Sequence, residues 1–208
     1  NPAAIASGPT IPDASTRADA LAIVAQYRLD LPAAVMAHLN GPAADAPMPD
    51  DPVFARHEHH IVASARVSLE AAAAEARGHG VMPVILSDAM EGEARDVALV
   101  HAAIAREVLA RGRPFSRPAV LLSGGETTVT LRGRGGRGGR NGEFALAMAL
   151  AIDGHAIEVL AADTDGIDGS EDNAGAFADG TTVRRLRAAG IDPREMLDRN
   201  DSYTAFST

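Results

Sequence analysis

Apolar positions along this chain recur first at helical spacing and then in short unbroken runs, and the changes mark its elements. Ala18, Leu21, Ala22, Val24 and Ala25 follow Ser15 and Thr16, which predicts a capped helix. A second short helix is expected from Pro32 to His38. Gly41 to Pro52 is rich in Pro, Ala and Asp and reads as a linker, so a boundary is expected there. Next come an apolar run at Ile61 to Ala63, an Ala-rich helical stretch from Ser64 to Arg77 closed by Gly78 and Gly80, and a run from Val81 to Leu86. Strand, helix and strand with short connections make a βαβ unit, so the strands at 61–63 and 81–86 are expected to be parallel. A helix from Ala94 to Ala110 and a loop from Gly112 to Pro118 follow.

The stretch from Val120 to Leu150 carries the densest signal. Val120 to Leu122 suits a buried strand. Ser123-Gly124-Gly125 reads as a turn with φ > 0 that brings its N–H groups close to a ligand. Glu126 to Leu131 alternates like a second strand, and Asn141 is placed to cap a helix beginning near Glu143. Two glycine-rich turns beside a helix N-terminus predict an anion site, with Arg137 and Arg140 suited to phosphate or carboxylate. Further on, an apolar strand from Ala156 to Ala162 delivers Asp163 to Gly169. Carboxylates there suit Mg²⁺ or its water shell, with Asx turns as the structural alternative. Gly166 falls too early for a calcium-binding EF-hand loop. Thr181 to Ala189 and Pro193 to Leu197 read as helices.

Composition narrows the chemistry. The 208 residues are 46% hydrophobic but 3% aromatic, so the core must be Ala, Val, Leu and Ile. There is no cysteine, which excludes disulfides, thiolate metal sites and a Cys nucleophile. The formal charge of −9 argues against general nucleic-acid or membrane-surface binding. No run reaches the length of a membrane-spanning helix, and a cytoplasmic protein is expected. All 19 residues counted as Lys+Arg are arginines. A lysine clamp, Schiff base or base therefore cannot come from these residues.

Three motifs divide between chemistry and structure. His57-Glu58-His59-His60 lacks the i, i+4 histidine pair of a helical zinc site, and is expected to lead into an exposed strand. Gly133 to Gly138 satisfies G-x-G-x-x-G but follows a strand of alternating polarity, unlike the buried first strand of a Rossmann unit. The same tract resembles an RNA-binding RGG segment, without aromatics; a hairpin tip or a flap over a bound anion are the other readings. Ser87 to Arg95 gathers polar residues after a strand, where open α/β sheets bind ligands, although Glu91 and Glu93 also suit the next helix's dipole.

Ser123-Gly124-Gly125-Glu126-Thr127-Thr128-Val129-Thr130, with Gly138-Gly139-Arg140-Asn141 and Glu143 downstream, resembles the MOFRL-type glycerate 2-kinase family. Some members of that family carry the name hydroxypyruvate reductase. Thr164-Asp165-Gly166-Ile167-Asp168-Gly169 with Ala174-Gly175-Ala176 is similar to a second family signature. Ala6 to Thr10, Glu91 to Arg95 and Asn200 to Tyr203 are similar to further segments. The resemblance spans essentially the whole chain but only the later half of a full-length member.

The resemblance implies an α/β fold: a MOFRL-type lobe at 53–208, with a parallel or mixed sheet flanked by helices. Residues 1–52 would be the tail of an N-terminal Rossmann-like lobe, and the family's C-terminal ending would lie beyond Thr208. The implied activity is ATP-dependent phosphorylation of D-glycerate to 2-phosphoglycerate, with Mg²⁺. Glu126, Asp165 and Arg140 are then the expected catalytic residues, and Asp165 and Asp168 the metal ligands. Ser7, Gly8, Glu91, Glu93, Arg95, Ser123, Gly124, Gly125, Thr127, Gly139, Asn141 and Glu143 are expected to bind substrate or nucleotide. Asp172 is expected to be a solvated turn residue, and no role is assigned to Asp163, where the family has a small residue. The expected partners are glycerate and a nucleotide, with no nucleic acid and no membrane; a homodimer is left open. The alternative is an NAD(P)H-dependent hydroxypyruvate reductase. Phosphoryl transfer leans on a cationic clamp, so these residues alone, without lysine, are expected to be inactive.

Overall fold

A computed structural model of the chain describes residues 10–42, 46–58, 60–132 and 136–207. The chain divides into two compact units, Asn1–Ile61 and Val62–Thr208. In the first, α1 (Arg17–Tyr27) opens on a capping box. Thr16 Oγ1 accepts the Asp19 N–H, and the Asp19 carboxylate accepts the Thr16 N–H at 2.8 Å. Arg28 in the left-handed region closes α1, α2 (Ala33–Leu39) follows, and Asp51 caps a 3₁₀ turn at Pro52–Phe54. No residue of α1 or α2 is buried.

The second unit contains α3 (Ala65–Gly78), β1 (Met82–Glu93), α4 (Ala94–Arg111), β2 (Ala119–Thr128), α5 (Arg140–Ala151), β3 (Glu158–Ala162), β4 (Gly175–Asp179), α6 (Thr182–Ala188), α7 (Pro193–Asp198) and α8 (Ser202–Phe206). β1 and β2 pair in parallel, while β3 and β4 form a separate antiparallel pair. The βαβ unit is present one element later than the sequence suggested. Its crossover helix is α4, not α3, and Ile61–Ala63 is not a strand. Ile61 and Val62 are 68% and 91% exposed. An apolar run without a neighbour to share its backbone hydrogen bonds gains nothing by extending. No helix among the described residues is long and apolar enough to cross a membrane.

The core is built around α5. Ala145, Leu146, Ala147, Met148 and Ala149 are buried in succession, so the helix is covered on every side. It meets Ala98 and Ala102 of α4, Ala161, Ala176 and Ala178 of the β3–β4 pair, and Leu186 and Ala205 from α6 and α8. These are nearly all alanines, so backbones approach closely and few aromatics are needed. β4 shows a strand's period of two: Ala176 and Ala178 face α5, while Phe177 between them is 75% exposed.

Candidate active site at the carboxyl ends of the parallel strands

Ser123-Gly124-Gly125 is not a turn. β2 runs unbroken through it to Thr128, paired to β1 with register slips around Ser87. Gly125 lies against Met90 with φ 150°, and a Cβ there would stand 2.2 Å from both the Met90 nitrogen and its oxygen. The glycine therefore serves close strand approach, not a ligand. The Ser123 hydroxyl is also engaged, 2.9 Å from His101 Nε2. His101 Nδ1 is 2.8 Å from the Val97 carbonyl, which can only accept, so Nδ1 carries the proton and Ser123 donates to Nε2.

The start of α5 differs in the same way. The helix begins at Arg140, with Gly139 and not Asn141 at the cap position and no side-chain cap from its own flank. The cap comes from Asp168, whose side chain is fully buried. Its Oδ1 accepts the Asn141 N–H at 2.9 Å and Asn141 Nδ2 at 3.2 Å, and its Oδ2 accepts the Gly142 N–H at 2.7 Å. The positive helix terminus is thus satisfied by the protein's own carboxylate. Asp168, expected among the metal ligands, commits both carboxylate oxygens to that cap. One turn on, Glu143 is buried. Its Oε1 accepts from Arg95 Nε at 2.7 Å and its Oε2 from Asn200 Nδ2 at 3.1 Å. Arg95 and Glu143, expected at substrate or nucleotide, hold each other in the interior. The Glu93 carboxylate accepts from Thr130 Oγ1 at 2.6 Å and from the Thr130 N–H at 3.1 Å. The Thr130 hydroxyl holds the carboxyl of Glu93 below its ordinary 4.5.

Other expected residues do converge. Arg140 Nη1 donates to Glu126 Oε1 at 2.7 Å, and Nη2 to Asp163 Oδ2 at 3.2 Å. The Glu126 hydrogen bond raises the Arg140 pKa above its ordinary value, so the guanidinium stays charged. Glu91 stands opposite Glu126 in the β1–β2 register. Like charges set side by side oppose stability, and here they stand toward the carboxyl ends of two parallel strands, where α/β sheets hold ligands. Thr127 is the next residue of β2, partly buried. Asp165 is exposed two residues beyond Asp163, its Oδ1 accepting the Ile167 N–H at 2.9 Å. Asp163 is the residue the sequence reading missed; its place directly after β3 was the signal. Arg137 is turned away, paired with Glu171 at 3.0 Å and stacked 4.3 Å over the Tyr203 ring. Ser7, Gly8, His59 and Gly133–Gly135 lie outside the described residues.

Among the described residues, no group of three or more His, Asp or Glu could hold a metal ion. A groove of about 1730 Å³ lies elsewhere, between the first half of β2 and β3. It takes Ser123 and His101 into its wall but not Glu126, Arg140 or Asp165. The converging charges and the strand ends mark the candidate site; the groove marks where β2 and β3 face each other without pairing.

Comparison with known proteins gives the chain's relatives. Residues 119–208 match the MOFRL family, and residues 1–40 match a domain of unknown function, DUF4147. The chain is 49% identical, over 99% of its length and 47% of the relative's, to a protein of Agrobacterium vitis provisionally named hydroxypyruvate reductase. It is 41% identical to the glycerate 2-kinase of Pyrococcus horikoshii, over 98% of this chain and 47% of that one. The crystal structure of glycerate kinase from Thermotoga maritima superposes on all of this chain and 48% of its own, with a TM-score of 0.77 at 36% identity. The chain spans about half the length of these relatives, and the parallel β1–β2 pair flanked by helices is the mixed α/β arrangement it shares with the solved kinase. With its match beginning at the first residue of β2 and containing Glu126, Arg140, Asp163 and Asp165, the segment 119–208 of this chain is a MOFRL family segment.

Proposed function

We propose that a full-length protein containing this chain phosphorylates D-glycerate to 2-phosphoglycerate at the expense of ATP. The observation that carries the proposal is Arg140, a permanently charged guanidinium held between Glu126, toward the carboxyl end of the parallel strand β2, and Asp163, just after β3. Phosphoryl transfer asks the protein mainly to position reactants and to neutralise charge on the moving group. Arg140 suits that task, since an incoming phosphate or carboxylate can take over N–H donors already oriented by two carboxylates. Glu126, 81% exposed and one hydrogen bond from Arg140, is the candidate acceptor of the glycerate hydroxyl proton. Thr127 and Glu91 flank it on the two strands.

Mg²⁺ keeps several waters and is held through one or two carboxylates plus the nucleotide's own phosphates, so a cage of three protein ligands is not required. Exposed Asp165 fits that demand, whereas capped Asp168 does not. When bound with the nucleotide, the ion would supply charge neutralisation on the phosphates. Residues 1–52 would be the tail of an N-terminal lobe, and a lysine clamp would come from that lobe.

The test is an assay of the full-length protein with glycerate and ATP, run beside hydroxypyruvate with NAD(P)H. ATP-dependent formation of 2-phosphoglycerate supports the kinase. Pyridine-nucleotide oxidation without phosphorylation would favour the reductase, the reading suggested by the name of the Agrobacterium relative. Residues 1–208 alone should form no product in either assay.

A further inference from the structure

We propose that Asp168 is a positioning residue that aims Arg140, acting from a loop 27 residues away by fixing the first turn of α5. The proposal rests on the reading of Arg140 as the anion-binding group.

The residues around Arg140 account for one another. Gly139 cannot carry a side chain, because a Cβ would come within 2.3 Å of Asp168 Oδ1. A Cβ on Gly142 would come within 2.5 Å of Ser202 Oγ. Asn141 donates both its backbone and its side-chain N–H to Asp168. Glu143 points inward to Arg95 and Asn200. Of the five residues 139–143, four are fixed by the interior, and Arg140 alone reaches outward, to Glu126 and Asp163. A carboxylate that holds two successive N–H groups sets both the axial position and the rotation of a helix's first turn. Rotation about the helix axis is what would carry Arg140 out of reach of its two partners. Arg140 reaches Asp163 Oδ2 at 3.2 Å, so a small shift of α5 suffices to lose one contact.

The experiment is a double-mutant cycle in the full-length protein: wild type, Asp168→Asn, Arg140→Ala and the double variant. Turnover, KM for glycerate and for MgATP, Mg²⁺ half-activation and melting temperature are measured for each. If Asp168 acts through Arg140, Asp168→Asn lowers turnover about tenfold in the wild-type background and less than about twofold once Arg140 is alanine. The Mg²⁺ half-activation concentration stays unchanged. Asp168→Ala, which keeps no acceptor for the helix N–H groups, lowers turnover further than Asp168→Asn. Equal losses in both backgrounds overturn the proposal, as does a large shift in Mg²⁺ half-activation, which would make Asp168 a metal ligand. Failure of both Asp168 variants to fold would make it a folding residue and also overturn it. A damaging Arg140→Ala beside a silent Asp168→Asn sinks the positioning role alone. A silent Arg140→Ala removes the functional reading as well, so the two failures are distinguishable.

Discussion

Arg95 Nε donates to Glu143 Oε1 at 2.7 Å across 48 residues of sequence, and both side chains are sealed from solvent. Arg95 opens α4 and Glu143 lies in the first turn of α5, so the pair fastens the two helices. Removing one member leaves a buried charge without its partner, which costs about 3–5 kcal/mol. Arg95→Ala should therefore lower the unfolding free energy of the full-length protein, read by urea titration, by that much. Replacing both, Arg95→Met with Glu143→Leu, should cost less than Arg95→Ala alone. Asn200 Nδ2 would then keep only the Thr130 carbonyl, at 3.3 Å.

Local signals in the sequence were read correctly where the determinant was local. The Thr16 cap of α1, the Ala-rich helices and the loop after Gly112 all follow from neighbours within a few residues. The errors came where a distant partner decided. Ser123-Gly124-Gly125 has turn composition, yet the glycines exist because Met90 of β1 presses on Gly125. Asn141 has the chemistry of a cap, yet Asp168 arrives from another loop and takes the position. Arg95 and Glu143 were expected to bind substrate or nucleotide because nothing local shows that they pair. Glu126 and Arg140 were expected in one site and lie within a hydrogen bond of each other, but the Arg140–Asp163 contact needed the fold.

Gly125→Ala tests the strand reading. A methyl group would need the Met90 backbone to move, and φ 150° already disfavours an L residue. At Gly124 a Cβ would meet the Ala65 side chain at 3.1 Å, a contact that gives by a few tenths of an ångström. Gly125→Ala should thus lower the melting temperature several degrees more than Gly124→Ala. Equal small effects would mean that β1 and β2 part easily at this point.

Tyr203 donates to Asp172 Oδ1 at 2.6 Å, and that hydrogen bond raises the phenol above its ordinary 10.0. Asp172 is thus a hydrogen-bond acceptor and more than a solvated turn residue. A group with a raised folded pKa adds stability that is fully present below its unfolded pKa and fades as pH rises through the folded one. In an alkaline titration followed by tyrosinate absorbance, Asp172→Asn should bring Tyr203 back toward 10.0. Turnover should be unchanged by Asp172→Asn and cut by Asp165→Asn, since Asp165 stands exposed two residues after Asp163, the partner of Arg140. The opposite pattern would show that the wrong carboxylate had been placed in the site.

Arg140→Ala separates the anion site from an ordinary surface ion pair. Arg140 is 38% exposed and its partner Glu126 is 81% exposed, so as a pair they would contribute about 0.2–1 kcal/mol to stability. A charge-assisted contact to a bound anion contributes about 1.5–3 kcal/mol, and about 1.4 kcal/mol is one decade of affinity. Removing the guanidinium should therefore weaken glycerate or MgATP binding by roughly ten- to a hundredfold, with a melting temperature almost unchanged. The loss should shrink as salt is raised, because the lost term is partly screened. The variant also leaves Glu91 and Glu126 side by side, with Asp163 near, and no cation between them. That repulsion should cost a little stability at low salt, and Glu126→Gln in the Arg140→Ala background should restore it. Calorimetric titration of both ligands at two salt concentrations, on the full-length protein, reads all of these at once. Affinities within twofold of wild type for both ligands would reduce Arg140 to a strut between β2 and the loop after β3.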